Sequence, residues 1–398
     1  GVRVTLVVAT GQEHHVVRAG LHAFPAGRDQ SSLLAGEHAH ALGGAPGVVA
    51  QLAATARYVR HARRVYERLS RLAFHEGLRD AALHVVTVAS VWLAPVLTAR
   101  GAAHVCGAFL QPATFSSDYP SVLLPASGLT RLLPNRIGHR LADLSIWLPW
   151  RGAIARATGL MLPVHGPLSL VHRLRLPVIY GMSPALVPAG LLNRPEHHLT
   201  GTWTAASSER PTALPPLLER FLQLHETVVL VSFGSQSRTY ARLLRQIVAL
   251  SDPPYPLVVQ THGVRTGATP GAAGGSGRTL ILDGSEGEVE HRAVLNRCRA
   301  VVHHGGAGTL HAATRAGVPS VIVPAAADTF FWAAAAEQAG VAPAAVSLAA
   351  ATGRGVAADM KAASGEPYRT HAAACARRMQ GENGLARAAQ VLYGHLTG

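Results

Sequence analysis

Apolar residues fall along this chain in strand-length runs separated by longer segments of helical period, and that alternation sets the fold class before any motif is considered. Val2 to Ala9 is a β-branched run that reads as a buried strand, followed by a loop at Thr10-Gly11 and a helix through Val16 to Ala19. Residues 49 to 78 are long, basic and helical in period. Leu83 to Val88 and His104 to Phe109 read as two further strands around a helix near Val91 to Ala99. Strand alternating with helix predicts an α/β protein with parallel sheets and right-handed crossovers.

The pattern then breaks and restarts. Between Pro188 and Pro216 prolines recur around Trp203 and the polar stretch Thr204 to Arg210, the composition of an interdomain connection. A second α/β unit follows, with strands at Val228 to Ser232, running into a Gly234-Ser235 turn, at Leu257 to Gln260 and at Thr279 to Asp283. Residues 263 to 278 are glycine-rich and read as a surface loop. Ala372 to Leu396, interrupted at Glu382-Asn383-Gly384, reads as two short helices. A chain of 398 residues with 48% hydrophobic content is long enough for two cores, so we place an N-terminal domain at 1–188, a linker at 189–225, a C-terminal domain at 226–383 and a terminal helix at 384–398.

Charge and cysteine content narrow the classes. The 36 Lys+Arg against 22 Asp+Glu give a formal +14, but Arg57, Arg60, Arg63, Arg64, Arg68 and Arg71 are spread along a helix with no aromatic platform between them. That is a solvated helix face, with an anionic membrane surface as the alternative, and it argues against nucleic acid. No apolar stretch has transmembrane length and no signal peptide is evident. Cys106, Cys298 and Cys375 are few and unclustered, which fits a reducing compartment and no zinc site. The expected location is cytoplasmic, with peripheral membrane contact left open.

Chemistry concentrates late in the chain. Ala300-Val301-Val302 runs into His303-His304-Gly305-Gly306-Ala307-Gly308-Thr309-Leu310-His311, a strand, a glycine turn and a small-residue helix. Glycines let backbone approach a ligand, a helix N-terminus presents unpaired N–H groups, and a histidine beside them can donate to an oxyanion. Asp328 follows a second strand, Val321-Ile322-Val323. Strand, glycine turn, helix, strand, acid reads as a nucleotide-sugar site, the competing reading being a tight structural turn.

Together with Arg315-Ala316-Gly317-Val318-Pro319, these residues resemble the donor box of the UDP-sugar-dependent GT-B glycosyltransferases, closest to the sterol 3-beta-glucosyltransferase branch. The resemblance implies two Rossmann-like domains facing across a cleft, with the terminal helix crossing back to the N-terminal domain. His304, beside His303 and Gly305, would donate to the diphosphate, while backbone at Gly306, Gly308 and Thr309 receives its charge. Ser235 would meet the diphosphate from the other side, and Val289 would sit at the uracil ring, with Glu290 where the family has Pro. Asp328 would accept from sugar hydroxyls, with Thr329 in place of the family's Gln. On the acceptor side, Gln111, Thr114 and Phe115 lie in a loop that matches the family's Pro-Trp-Thr-Pro-Thr but gains a Phe and loses the Trp. The segment Leu141 to Leu148 resembles a helix of the sterol branch, with Trp147 expected in the core.

Gly1-Val2-Arg3-Val4 resembles the family's second strand, so the resemblance implies an N-terminal domain lacking its first βα unit, with poor stability and no inherited catalytic base. The catalytic residue is therefore unassigned. His14, His15 and His22 match no catalytic position and are expected to be solvated. No Asp-x-Asp occurs, so no metal is expected, and no cofactor beyond the UDP-sugar co-substrate. The expected reaction is inverting transfer of a hexose, glucose first, to a sterol or lipid-like hydroxyl. A bacterial-type natural-product transferase and a catalytically incomplete nucleotide-sugar-binding protein are the alternatives.

Overall fold

The computed structural model describes residues 2–8, 13–26, 63–124, 132–188, 191–204, 214–267, 277–284, 291–325 and 328–397. The C-terminal unit is built on five parallel strands, β7 (Val228–Ser232), β8 (Leu257–Gln260), β9 (Thr279–Leu282), β10 (Cys298–His303) and β11 (Ser320–Ile322), in the order β11-β10-β7-β8-β9. Successive side chains of a strand point to opposite faces, and both faces here are covered. Val229, Val231 and Val302 meet Leu243, Leu244 and Ile247, while Val228, Leu230 and Val301 meet Leu218, Phe221 and Leu222. Fully buried strands need no polar face, which is why these sequences are continuous apolar runs.

The N-terminal unit has four parallel strands in sequential order, β3 (His84–Val86), β4 (Val105–Phe109), β5 (Val178–Tyr180) and β6 (His197–Leu199). Around them lie α2 (Ala94–Ala99), α3 (Asn135–Ser145), α4 (Leu148–Thr158) and α5 (Pro167–Arg173), after the shorter α1 (Glu13–Arg18). Trp147 is fully buried, with its indole N–H donating to the Pro163 carbonyl at 2.9 Å. Beyond β6 come α6 (Pro216–Leu224), α7 (Ala241–Val248), α8 (His291–Leu295), α9 (Ala307–Arg315), α10 (Asp328–Gln338), α11 (Gly353–Ala363), α12 (Glu366–Met379) and α13 (Gly384–Thr397). One apolar cluster runs from Phe109, Trp150 and Val178 through to Leu310, Trp332 and Cys375, so the two units share a core. The other face of the N-terminal sheet, at Cys106 and Ile179, is covered by Ala388, Val391 and Leu392 of α13.

Two expectations change. Thr5–Val8 forms a strand, β1, but a partly exposed one: it pairs in parallel with β2 (His22–Pro25), and Leu6 and Val7 remain 41% and 45% exposed. Two short strands and a six-residue helix are too small to shield each other. The stretch expected as a linker also holds structure, because His197–Leu199 pairs with β5 and α6 packs under the C-terminal sheet. Most of the glycine-rich 263–278 loop lies outside the described residues. Among the described residues no helix is long and apolar enough to cross a membrane.

Candidate functional site

In chain order the C-terminal sheet runs 3-2-1-4-5, so successive connections leave β7 toward one side and reach β10 on the other. Loops at the carboxyl ends of such a pair diverge and open a crevice, the usual ligand position in sheets of this kind. Val231 pairs with Val302, which brings the turn after β7 and the turn after β10 out side by side.

The β10 turn is shaped by glycine. Gly305 has φ +92°, and an added Cβ would stand 2.9 Å from the Thr329 carbonyl oxygen, so only glycine lets this turn lie against the start of α10. His303 is fully buried and its Nδ1 accepts from the Gly305 N–H at 3.1 Å. Its ring therefore holds the turn. His304 stands differently: a Cβ on Gly306 would lie 2.5 Å from its Nε2, which places the imidazole beside the N-cap of α9.

Gly306 is the N-cap of α9 and no side chain caps that end. The amides of the first turn lack the usual oxygen partner there, and the helix dipole adds partial positive charge. Gly308 is exposed, with open space around its Cα, and Thr309 is half-buried. Asp328 and Thr329 begin α10, and burial raises the Asp328 carboxyl above the ordinary aspartate range. The Thr329 hydroxyl accepts from the Ala325 N–H at 3.3 Å, so it helps close the β11 turn. Behind them Tyr240 donates to the Val323 carbonyl at 2.7 Å and stacks on Phe233, tying α7 to the end of β11.

Ser235 sits in the short turn Gly234–Gln236 after β7 and is exposed. It does not cap the turn, because Ser237 donates to the Gly234 carbonyl at 2.7 Å in that role. Val289 lies outside the described residues.

On the opposite unit, Gln111 is half-buried, but Thr114 is fully buried and its hydroxyl is 2.6 Å from the Tyr180 hydroxyl. Thr114 thus anchors the loop from within the core rather than lining open space. Phe115 packs between His139 and His172, each 5.6 Å away, and Tyr119 reaches Phe331 of α10 at 6.4 Å. The loop and the helix bearing Asp328 therefore touch. His14 and His22 are exposed. Among the described residues no group of three or more His, Cys, Asp or Glu is placed to hold a metal ion.

Sequence reasoning missed two arrangements. Asp143 accepts from the Leu168 and Ser169 N–H groups at 2.8 and 3.0 Å, capping α5 from α3, and burial raises its pKa. Its only sequence signal is a carboxylate in an apolar helix face. The second joins the units: the Glu382 carboxylate accepts from the Ser183 hydroxyl at 2.5 Å and the Thr202 N–H at 3.2 Å, and Arg315 bonds both the Thr202 hydroxyl and the Met379 carbonyl. These partners are too far apart in sequence for any local pattern to pair them.

Residues 287–389 match a family model described as erythromycin biosynthesis protein CIII-like, C-terminal domain. O-mycaminosyltylonolide 6-deoxyallosyltransferase of Streptomyces fradiae is 32% identical over 275 residues, covering 64% of this chain and 59% of that protein. Sterol 3-beta-glucosyltransferase of Kluyveromyces lactis is 27% identical over 252 residues, covering 58% of this chain and 20% of that protein. The match thus spans 59% and 20% of the length of these two curated relatives. The crystal structure of glycosyltransferase VinC in complex with dTDP has the same fold, at a TM-score of 0.58 and 18% identity, covering 99% of this chain and 92% of that one.

Proposed function

We propose that this chain, which has the fold of the GT-B glycosyltransferases, transfers a hexose from a nucleoside diphosphate sugar to the hydroxyl of a large lipophilic molecule. The observation that carries the reading is the start of α9: a helix N-terminus without a side-chain cap, with an imidazole beside its N-cap and the start of α10, which Asp328 opens, packed against the preceding glycine, at the switch point of a parallel sheet.

As the bond between the sugar and the diphosphate breaks, negative charge grows on the phosphate. The amides of Ala307, Gly308 and Thr309 and the ring of His304 receive it, and each such donor contributes on the order of 3 kcal/mol to the departing group. Asp328 accepts from sugar hydroxyls, and Ser235 donates to the diphosphate from the β7 side. With Thr329 closing its own turn, the sugar is held mainly by Asp328. The family relationship supports inversion at the sugar carbon. The base that takes the acceptor proton is not assigned to any of these residues.

The donor is UDP-glucose in the first reading. A thymidine nucleotide is the second, supported by the dTDP bound in VinC. For the acceptor, a sterol and a macrolide-type aglycone both offer one hydroxyl on an extended apolar skeleton, and relatives of each kind support them. Phe115 and Gln111 face that skeleton at the N-terminal loop.

Calorimetric titration with UDP, dTDP and UDP-glucose tests the donor assignment. His304→Ala should weaken all three, and Asp328→Ala should weaken only the sugar nucleotide. A folded chain that binds none of them overturns the reading. Product formation with cholesterol against a macrolactone aglycone then separates the acceptors.

A further inference from the structure

His311 lies one turn into α9, and its ring is buried. Its Nδ1 is 2.6 Å from the Ala307 carbonyl oxygen, which can only accept, so Nδ1 carries the proton. Its Nε2 is 3.1 Å from the Ser183 backbone nitrogen, whose N–H donates, so Nε2 is the acceptor. Both nitrogens are committed to one neutral tautomer. Burial keeps it neutral by pushing the ring pKa down to about 4.

The three partners of this ring belong to the three parts that transfer must align. Ala307 is the first residue of the helix whose amides face the donor. Trp332, edge-on to the ring at 4.9 Å, belongs to α10, which begins at Asp328. Ser183 follows β5 in the N-terminal unit, three residues beyond Tyr180, the anchor of the loop holding Thr114. Ser183 is held from its other end as well, because its hydroxyl donates to Glu382.

We propose that His311 is a positioning residue for sugar transfer, fixing the donor-binding helix start and α10 against the acceptor-bearing unit. The inference rests on the transferase reading and deepens it. A bound nucleotide touches α9 before His311, so the ring governs alignment between the units and not nucleotide affinity. Phenylalanine fills the same space without either hydrogen bond, while glutamine can still offer an oxygen to the Ser183 N–H.

The test compares wild type, His311→Phe and His311→Gln for UDP binding by calorimetry and for UDP release from UDP-glucose or dTDP-glucose with cholesterol or a macrolactone aglycone. For His311→Phe the expected result is a UDP Kd within about threefold of wild type and a kcat lowered at least tenfold. His311→Gln should recover part of the kcat, and amide exchange at Ser183 should accelerate at least tenfold in the Phe variant. Equal kcat in folded His311→Phe, or Kd and kcat falling together, overturns the inference. A wild type that neither binds nucleotide nor turns over any donor overturns the transferase reading instead. If the variants do not fold, nitrogen NMR of the wild-type ring decides: a protonated Nε2 contradicts the assignment.

Discussion

The loops at the carboxyl ends of the strands use their side chains in opposite ways in the two units. After β10, close packing depends on an absent side chain: Gly305 fits against Thr329 because it has no Cβ, α9 starts with no side-chain cap, and the buried His303 ring braces the turn from within. After β4, shape comes from side chains: Thr114 bonds Tyr180, the Tyr119 hydroxyl donates to the Thr114 carbonyl at 3.2 Å, and Phe115 is packed between two histidines. A diphosphate is the same in every donor of its class, and backbone amides suffice to hold it. Acceptors differ in shape, and side-chain volume is the means to follow them. On the proposed transferase reading, donor recognition is written in glycine spacing, and acceptor recognition in residues that can be exchanged one at a time.

The contrast breaks most visibly at Gly305. Gly305→Val combines a positive φ with a collision against backbone, and should weaken UDP binding at least 100-fold while lowering stability by about 1–3 kcal/mol in urea unfolding. Wild-type binding in this variant would remove the backbone account of the donor half. Thr114→Val asks the converse question of the other loop. Leaving the buried Tyr180 hydroxyl without its partner should cost about 1–3 kcal/mol of stability and leave the UDP Kd within twofold. A large change in that Kd would show that the two loops are not separable.

Acid sharpens the comparison, since His197 in one unit and His311 in the other are both strongly shifted. Burial lowers His197 on β6 and His311 on α9 to about 4 from an ordinary 6.5. Their unfolded forms take up protons first, so the stabilisation is complete above about pH 6.5 and is lost as pH falls toward 4. Urea midpoints should fall across that window, and His311→Gln should flatten the slope without abolishing it. An unchanged slope would mean that His311 is not buried in its neutral form. Ser235→Ala is the mildest test: an exposed hydroxyl on a turn that Ser237 holds should cost a few-fold in UDP affinity and leave the melting temperature unchanged. A shifted melting temperature would make Ser235 structural.

Much of the C-terminal sheet was legible because strands buried on both faces are unbroken apolar runs. Val228–Ser232, Leu257–Gln260 and Thr279–Leu282 lie within a residue or so of where periodicity puts them. β6 was not legible, because His197-His198-Leu199 is three residues long, mostly polar, and set among prolines that read as a connection. The strand at Val2 to Ala9 was legible in type and misread in burial: β-branched residues signal a strand, but what covers the strand depends on its neighbours. At the site, the glycine turn gave itself away by composition. The division of labour between His303, which holds the turn, and His304, which lies beside the N-cap of α9, needed the geometry. The Ser183–Glu382 and His311–Ser183 contacts join residues 199 and 128 positions apart, beyond the reach of any local pattern.

The measurement that bears most directly on the donor site is backbone amide NMR of the wild-type chain titrated with UDP. The account predicts that the amides of Ala307, Gly308 and Thr309 shift most and exchange more slowly with solvent, while those of Gln111 to Tyr119 stay where they are. Saturable UDP binding that leaves the start of α9 unperturbed would contradict it.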